Sequence, residues 1–141
     1  MSRVYWDTML FIYWLEDHAS FAKKVRQIYE RMDQRGDVLC TSVFTLGELL
    51  AGPKQQKAIA AAGQVREFFH STVAEVLPFT VDTAERYAEI RATQPVTPAD
   101  AIHLACASHY GIDLFLTNDH RLKGMVIPGI QFSAGLDVDI L

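Results

Sequence analysis

Cysteine is scarce in this chain: Cys40 and Cys106 are the only two in 141 residues, and both lie in apolar stretches (Val38-Leu39-Cys40 and Leu104-Ala105-Cys106-Ala107). Thiols so placed suit small packed residues in a reducing compartment better than a disulfide framework. Long hydrophobic runs are missing too. The longest, residues 9–15, falls far short of the ~20 residues a membrane span needs. The first residues also lack the basic start, apolar centre and small-residue cleavage site of a secretion signal. A soluble cytoplasmic protein with no membrane partner is the expectation. An excess of positive charge is absent as well, since 13 Lys and Arg against 17 Asp and Glu leave a formal charge of -4. That argues mildly against nucleic-acid binding, because phosphate contacts want a basic face. The objection weakens if the acids are metal ligands: each divalent ion adds two charges, so one or two ions bring -4 to -2 or 0. Repeats, low-complexity tracts and linkers are also lacking. One domain spanning residues 1–141 is therefore expected, with 50% hydrophobic residues to build its core.

What is present alternates. Apolar periodicity and turn residues predict strands near residues 3–7, 37–42, 73–79, 113–117 and 130–133, with helical segments between them. Val4-Tyr5-Trp6 and Leu114-Phe115-Leu116 are short continuous apolar runs with polar residues at their ends. Such runs are the mark of central strands in a parallel sheet covered by helices on both faces, an α/β fold.

Three helices carry information. Residues 20–34 place Phe21, Val25, Ile28, Tyr29 and Met32 on one stripe, with Lys23, Lys24, Arg26 and Glu30 off it, as in an ordinary surface helix. Thr97-Pro98-Ala99-Asp100 reads as a helix start, with Thr97 as N-cap and Pro98 at the first position; the helix runs to about Tyr110 and closes at Gly111. Asp100 then falls in the first turn. A third helix, residues 43–51, should stop at Gly52-Pro53 and carries Glu48 in its middle.

Seventeen acids are mostly solvated surface, so the informative ones are those set in apolar sequence. Counting His as neutral, Asp7 is the only charged residue between Arg3 and Glu16, Glu48 between Asp37 and Lys54, and Asp100 between Arg91 and Asp113. Burying a lone carboxylate is costly without an opposite charge, and no Lys or Arg is near in sequence. A shared divalent cation would compensate all three. Asp7 ends the first strand and Asp119 follows Leu114-Phe115-Leu116-Thr117-Asn118, just past a later one. Sites in open parallel sheets form at these carboxyl ends. Hard oxygen donors suit Mg²⁺ or Mn²⁺ rather than zinc, and the chemistry they support is phosphodiester hydrolysis. Blander readings stand beside this one. Asp100 completes a capping pattern with Thr97, Asp7 can cap the next helix, Glu48 can be a solvated helix residue, and Asp119 can belong to a turn.

In order along nearly the whole chain, Tyr5-Trp6-Asp7-Thr8, Thr45-Leu46-Gly47-Glu48-Leu49, Pro98-Ala99-Asp100-Ala101-Ile102-His103-Leu104-Ala105 and Leu116-Thr117-Asn118-Asp119 resemble the PIN-domain ribonucleases. Among these they resemble the VapC-type toxins of toxin–antitoxin pairs. The resemblance implies a three-layer α/β/α fold around a parallel sheet of about five strands, with Asp7, Glu48, Asp100 and Asp119 as an acidic quartet. It further implies Asp7 and Asp100 as direct Mg²⁺ ligands, Thr117 supporting them by a hydrogen bond, endonucleolytic cleavage of RNA, a homodimer, and an antitoxin whose tail covers the groove. Residues 9–15 are apolar all round, which core packing explains in most part and an interface in the rest. Lys54, Lys57, Arg121 and Lys123 flank the acids and are candidates for substrate contact, with solvated surface charge the plainer reading. His103, one turn after Asp100, is read as a packed, hydrogen-bonded histidine. Two alternatives stay open: a PIN-like binding module without catalysis, and an aspartate-based phosphohydrolase. The second fits less well, because Asp7-Thr8-Met9 offers methionine where haloacid-dehalogenase-like enzymes want a second aspartate.

Overall fold

The computed structural model describes residues 1–137. Strands β1 (Arg3–Trp6), β2 (Val38–Ser42), β3 (Glu75–Leu77), β4 (Ile112–Leu116) and β5 (Ile130–Ala134) form one sheet. Helices α1 (Thr8–Leu15), α2 (Ala22–Arg35), α3 (Val43–Gln55), α4 (Ile59–Thr72), α5 (Val81–Thr93) and α6 (Pro98–Tyr110) connect them. The strand order is β3-β2-β1-β4-β5, parallel throughout. The chain winds outward from β1 to β3 and then crosses back to β4 on the other side of β1. The strand order thus reverses between β1 and β4, where the loops leaving their carboxyl ends diverge and open a crevice.

Alternation along the strands feeds two cores. Val4, Trp6, Leu39, Leu114 and Leu116 face Phe11 of α1, Val25 and Met32 of α2 and Phe69 of α4. Tyr5, Cys40 and Phe115, one residue out of phase, face Ile90 of α5 and Leu104 and Cys106 of α6. The result is the expected three layers, with both cysteines buried as free thiols. Within α1, Leu10, Phe11 and Tyr13 are buried, while Met9 stays exposed.

Helix α6 begins as its sequence prescribes: the Thr97 side chain accepts the Asp100 N–H at 3.2 Å, Pro98 opens the first turn, and Gly111 closes the helix at φ 71°. Two boundaries differ from expectation. Helix α3 runs through Gly52-Pro53 to Gln55. Proline lacks one N–H, but the next turn bonds past it, Gln56 N–H to Gly52 O at 3.1 Å and Ala58 N–H to Pro53 O at 2.8 Å, so Lys54 is helical. Strand β3 is shorter than residues 73–79, because Val73 N–H still closes α4 on Phe69 O and Pro78 has no N–H to extend the ladder. Among the described residues no helix is long and apolar enough to cross a membrane.

Candidate active site

The site grows from the reversal point. Asp7, the first residue beyond β1, continues the pairing with β4 through its own N–H to Leu116 O at 3.2 Å. Its extended backbone (φ -72°, ψ 170°) makes it the N-cap of α1, with Oδ1 accepting the Met9 N–H at 3.1 Å. Because β4 lies beside β1, Thr117 arrives next to it. The fully buried Thr117 hydroxyl donates to Asp7 Oδ2 and accepts the Asp119 N–H at 3.0 Å. Asp7 is only 8% exposed, and no Lys or Arg ion pair reaches it among the described residues. Burial pushes its pKa up, outweighing the Thr117 and backbone hydrogen bonds and the His103 charge that pull it down.

Glu48 comes from α3 to the same place by a different route. Its Oε1 accepts from the Thr8 hydroxyl and lies 2.8 Å from His103 Nε2. Burial alone would raise this carboxyl, but the hydrogen bonds from His103 and Thr8 prevail and hold it below the usual glutamate range. An ionised carboxylate only accepts, which assigns the imidazole proton to Nε2. Nδ1 lies 2.6 Å from Tyr5 OH, a second hydrogen bond to the ring, and burial keeps that phenol protonated. A chain of hydrogen bonds therefore runs from the middle of β1 through α6 to Glu48.

Asp100 and Asp119 are arranged otherwise. The Arg121 guanidinium grips Asp119 with Nε–Oδ1 at 3.1 Å and a second N–O contact to Oδ2 at 2.7 Å, and lies 3.6 Å from Asp100 Oδ2. The Arg121 hydrogen bond holds Asp119 below its ordinary pKa. Asp7, Glu48 and Asp100 share one cleft of about 250 Å³ with Thr8 and His103, walled on its apolar side by Met9, Ile12 and Leu122. Asp119 stands beside that cleft. A larger groove of about 310 Å³, along α5 by Arg86, contains none of the four acids.

Of the residues the sequence singles out, three acids meet in the cleft, Asp119 is linked to Asp7 through Thr117, and Arg121 is engaged by acids. Lys54 and Lys57 lie apart, in a hollow between α3 and α4. His103 is buried and hydrogen-bonded on both nitrogens. Its spacing of three from Asp100, which puts both on one face of α6, was the available signal for its place here. Thr8 had only adjacency to Asp7, and Tyr5, inside an apolar strand, had none.

As they stand, no three His, Cys, Asp or Glu side chains among the described residues are gathered closely enough to hold a metal ion. The donor set nevertheless fits a hard divalent cation. It is made of carboxylate oxygens, one of them buried without a cationic partner, and Arg121 already supplies positive charge between two others.

Fold and cleft together define a class: α/β proteins with an acidic crevice at the carboxyl edge of a parallel sheet, where the strand order reverses. The family model for the PIN domain matches residues 4–126, and the chain belongs to that family. Among solved structures, VapBC2 of Rickettsia felis, bound to a DNA fragment from its promoter, is similar over 94% of this chain and 98% of its own, with TM-score 0.75 and 17% identity. A toxin–antitoxin complex from Klebsiella pneumoniae covers 90% and 94% at TM-score 0.66 and 22% identity. VapC20 of Mycobacterium tuberculosis, a toxin that cleaves the sarcin-ricin loop, covers 79% and 86% at TM-score 0.64 and 20% identity. By sequence, no curated protein matches the chain.

Proposed function

We propose that this protein is a Mg²⁺- or Mn²⁺-dependent endoribonuclease and the toxin of a toxin–antitoxin pair. In this reading it acts in the cytoplasm as a homodimer, and its antitoxin covers the cleft. The observation that carries the reading is the buried Asp7 carboxylate, without Lys or Arg, opening onto the same cleft as Glu48 and Asp100. Its placement in the PIN family and its structural likeness to VapC toxins support RNA as substrate and an antitoxin as partner.

Asp7, Glu48, Asp100 and Asp119 are the residues that would hold the ion. When bound, it supplies an activated water and neutralises charge on a phosphodiester. The chain's own groups do the positioning. Thr117 fixes the rotamer of Asp7, and the shared Thr117 hydroxyl ties Asp119 to it. Thr8 and His103 keep Glu48 ionised and aimed. Arg121 balances Asp100 and Asp119 and, with Lys54, is assigned to contact the phosphate backbone of the substrate.

An RNA-cleavage assay with Mg²⁺ or Mn²⁺, comparing the parent with Asp7→Ala and Asp100→Ala, tests this. Both variants should lose cleavage, and chelation should silence the parent. Full-rate cleavage by either variant overturns the mechanism. A second reading, a PIN-like module that binds without cutting, is favoured by one observation, the Arg121 ion pairs that already neutralise two of the acids. It predicts no rise in melting temperature on adding Mn²⁺.

A further inference from the structure

A chain that grips a nucleic-acid backbone does so best with cations that no acid of its own already holds. Among the described residues, carboxylates hold Arg3 (Glu75), Arg26 (Asp17), Arg35 (Asp37), Arg121 (Asp119 and Asp100) and Lys123 (Asp137). Arg86 and Arg91 are hydrogen-bonded to Ser108 and Tyr87. Lys23 and Lys24, on α2, are in none of these pairs, nor are Lys54, Lys57 and Arg66. All three line one hollow of about 100 Å³ between the end of α3 and the start of α4, together with Pro53, Ile59 and Ala62. The active-site cleft and the groove beside Arg86 each carry acids in their walls; this hollow carries none.

Three like charges brought together without counter-charge repel one another, an arrangement that an anion relieves. Ile59, 87% exposed at the rim, adds an apolar contact that a nucleobase can use. Helix α3 joins this hollow to the cleft, Glu48 lining the one and Lys54 the other. Lys54 follows Glu48 by six residues on the same helix, roughly 9 Å of axial rise at 1.5 Å per residue.

We infer that Lys54, Lys57 and Arg66 form a subsite for the RNA backbone, gripping phosphates a few nucleotides from the one presented to Asp7, Glu48 and Asp100. The inference rests on the ribonuclease reading and locates its main electrostatic contact with substrate outside the acidic cleft.

The test uses the full chain carrying Asp100→Asn, so that RNA is bound without being cut, and a fluorescent single-stranded RNA oligonucleotide followed by anisotropy from low to high salt. Adding Lys54→Gln, Lys57→Gln and Arg66→Gln should weaken binding about tenfold at 0.1 M salt and flatten the plot of log K against log salt by about 2, at ~0.7 per phosphate contact. The charge-retaining set Lys54→Arg, Lys57→Arg and Arg66→Lys should restore both, which separates the effect from misfolding. Equal affinity and slope in the parent and the neutralised variant overturn the subsite and leave the nuclease reading intact. Absence of RNA binding by the Asp100→Asn parent, with no cleavage by the native protein, overturns both. If RNA binding is unchanged while the neutralised variant loses binding to a polyglutamate peptide, the hollow belongs to an acidic peptide, and the inference is overturned.

Discussion

The inner and outer halves of the carboxylate site are built by opposite means. Asp7 and Glu48 are held by hydrogen bonds from side chains that the sheet, α1 and α6 fix in place: Thr117 for one, Thr8 and His103 for the other. Asp100 and Asp119 share the head of Arg121, a side chain 65% exposed to solvent. Inner geometry is therefore set when the core folds, whereas outer geometry depends on a long side chain that solvent can compete for. The inner acids should be costly to alter and the outer pair adjustable.

The largest effect belongs to Asp7. Asp7→Ala should reduce RNA cleavage by more than the 10- to 100-fold typical of losing a supporting partner, since it removes a donor and a helix cap together. Asp7→Asn separates function from stability, because asparagine caps a helix as well as aspartate. Burial raises the Asp7 pKa above its unfolded value, so folding favours the protonated acid. That contribution is complete below the unfolded pKa and is lost as pH rises through the folded one. In metal-free buffer at pH 7, Asp7→Asn should thus melt a few degrees higher than the parent while losing cleavage. The gain should vanish as pH falls through the acid range. A lower melting temperature at pH 7 would show that Asp7 is not destabilised by its burial.

Next comes the chain through His103. His103→Ala frees the Glu48 side chain and should weaken Mn²⁺ binding, measured by calorimetry, by about 10- to 100-fold. His103→Gln, which keeps a donor, should recover part of that loss. Tyr5→Phe leaves Nδ1 without its hydrogen-bond partner and should cost less than His103→Ala. Affinity untouched by His103→Ala would place Glu48 outside the ion-binding set and remove the distinction between inner and outer acids.

Much of this arrangement was legible in the chain. Three acids stood alone in apolar sequence, and Asp7, Glu48 and Asp100 share the cleft that Asp119 only borders; isolation tracked burial for Asp7 alone. The alternating pattern placed all five strands, and the polar ends of Val4-Tyr5-Trp6 and Leu114-Phe115-Leu116 pointed to the edge where the site lies. The supporting groups were not legible, for physical reasons. The Tyr5 hydroxyl is invisible in a pattern that reports only that β1 is buried, and its partnership with His103 spans 98 positions. Arg121 was read for its charge, yet sequence does not say whether a cation meets phosphate or a neighbouring acid. The Gly52-Pro53 pair reads as a stop, but only one helical bond was at stake there, and tertiary packing of α3 on α4 carried the helix past it.

The smallest expected effect tests the outer half. Arg121→Gln removes the cation that Asp119 and Asp100 share, so Asp119 should titrate closer to an ordinary aspartate, the Arg121 hydrogen bond being the main cause of its lowered pKa. With that competitor gone, Mn²⁺ should bind tighter, but only about two- to fivefold, because an exposed ion pair is weak and screened by salt. The gain should shrink further as salt is raised. Cleavage need not follow affinity, since the same guanidinium is assigned to the substrate backbone: tighter ion binding together with a higher KM would be its signature. Should Arg121→Gln instead weaken Mn²⁺ binding tenfold or more, the guanidinium would be holding Asp119 in place rather than occupying it, and the outer acids would be as firmly built as the inner ones.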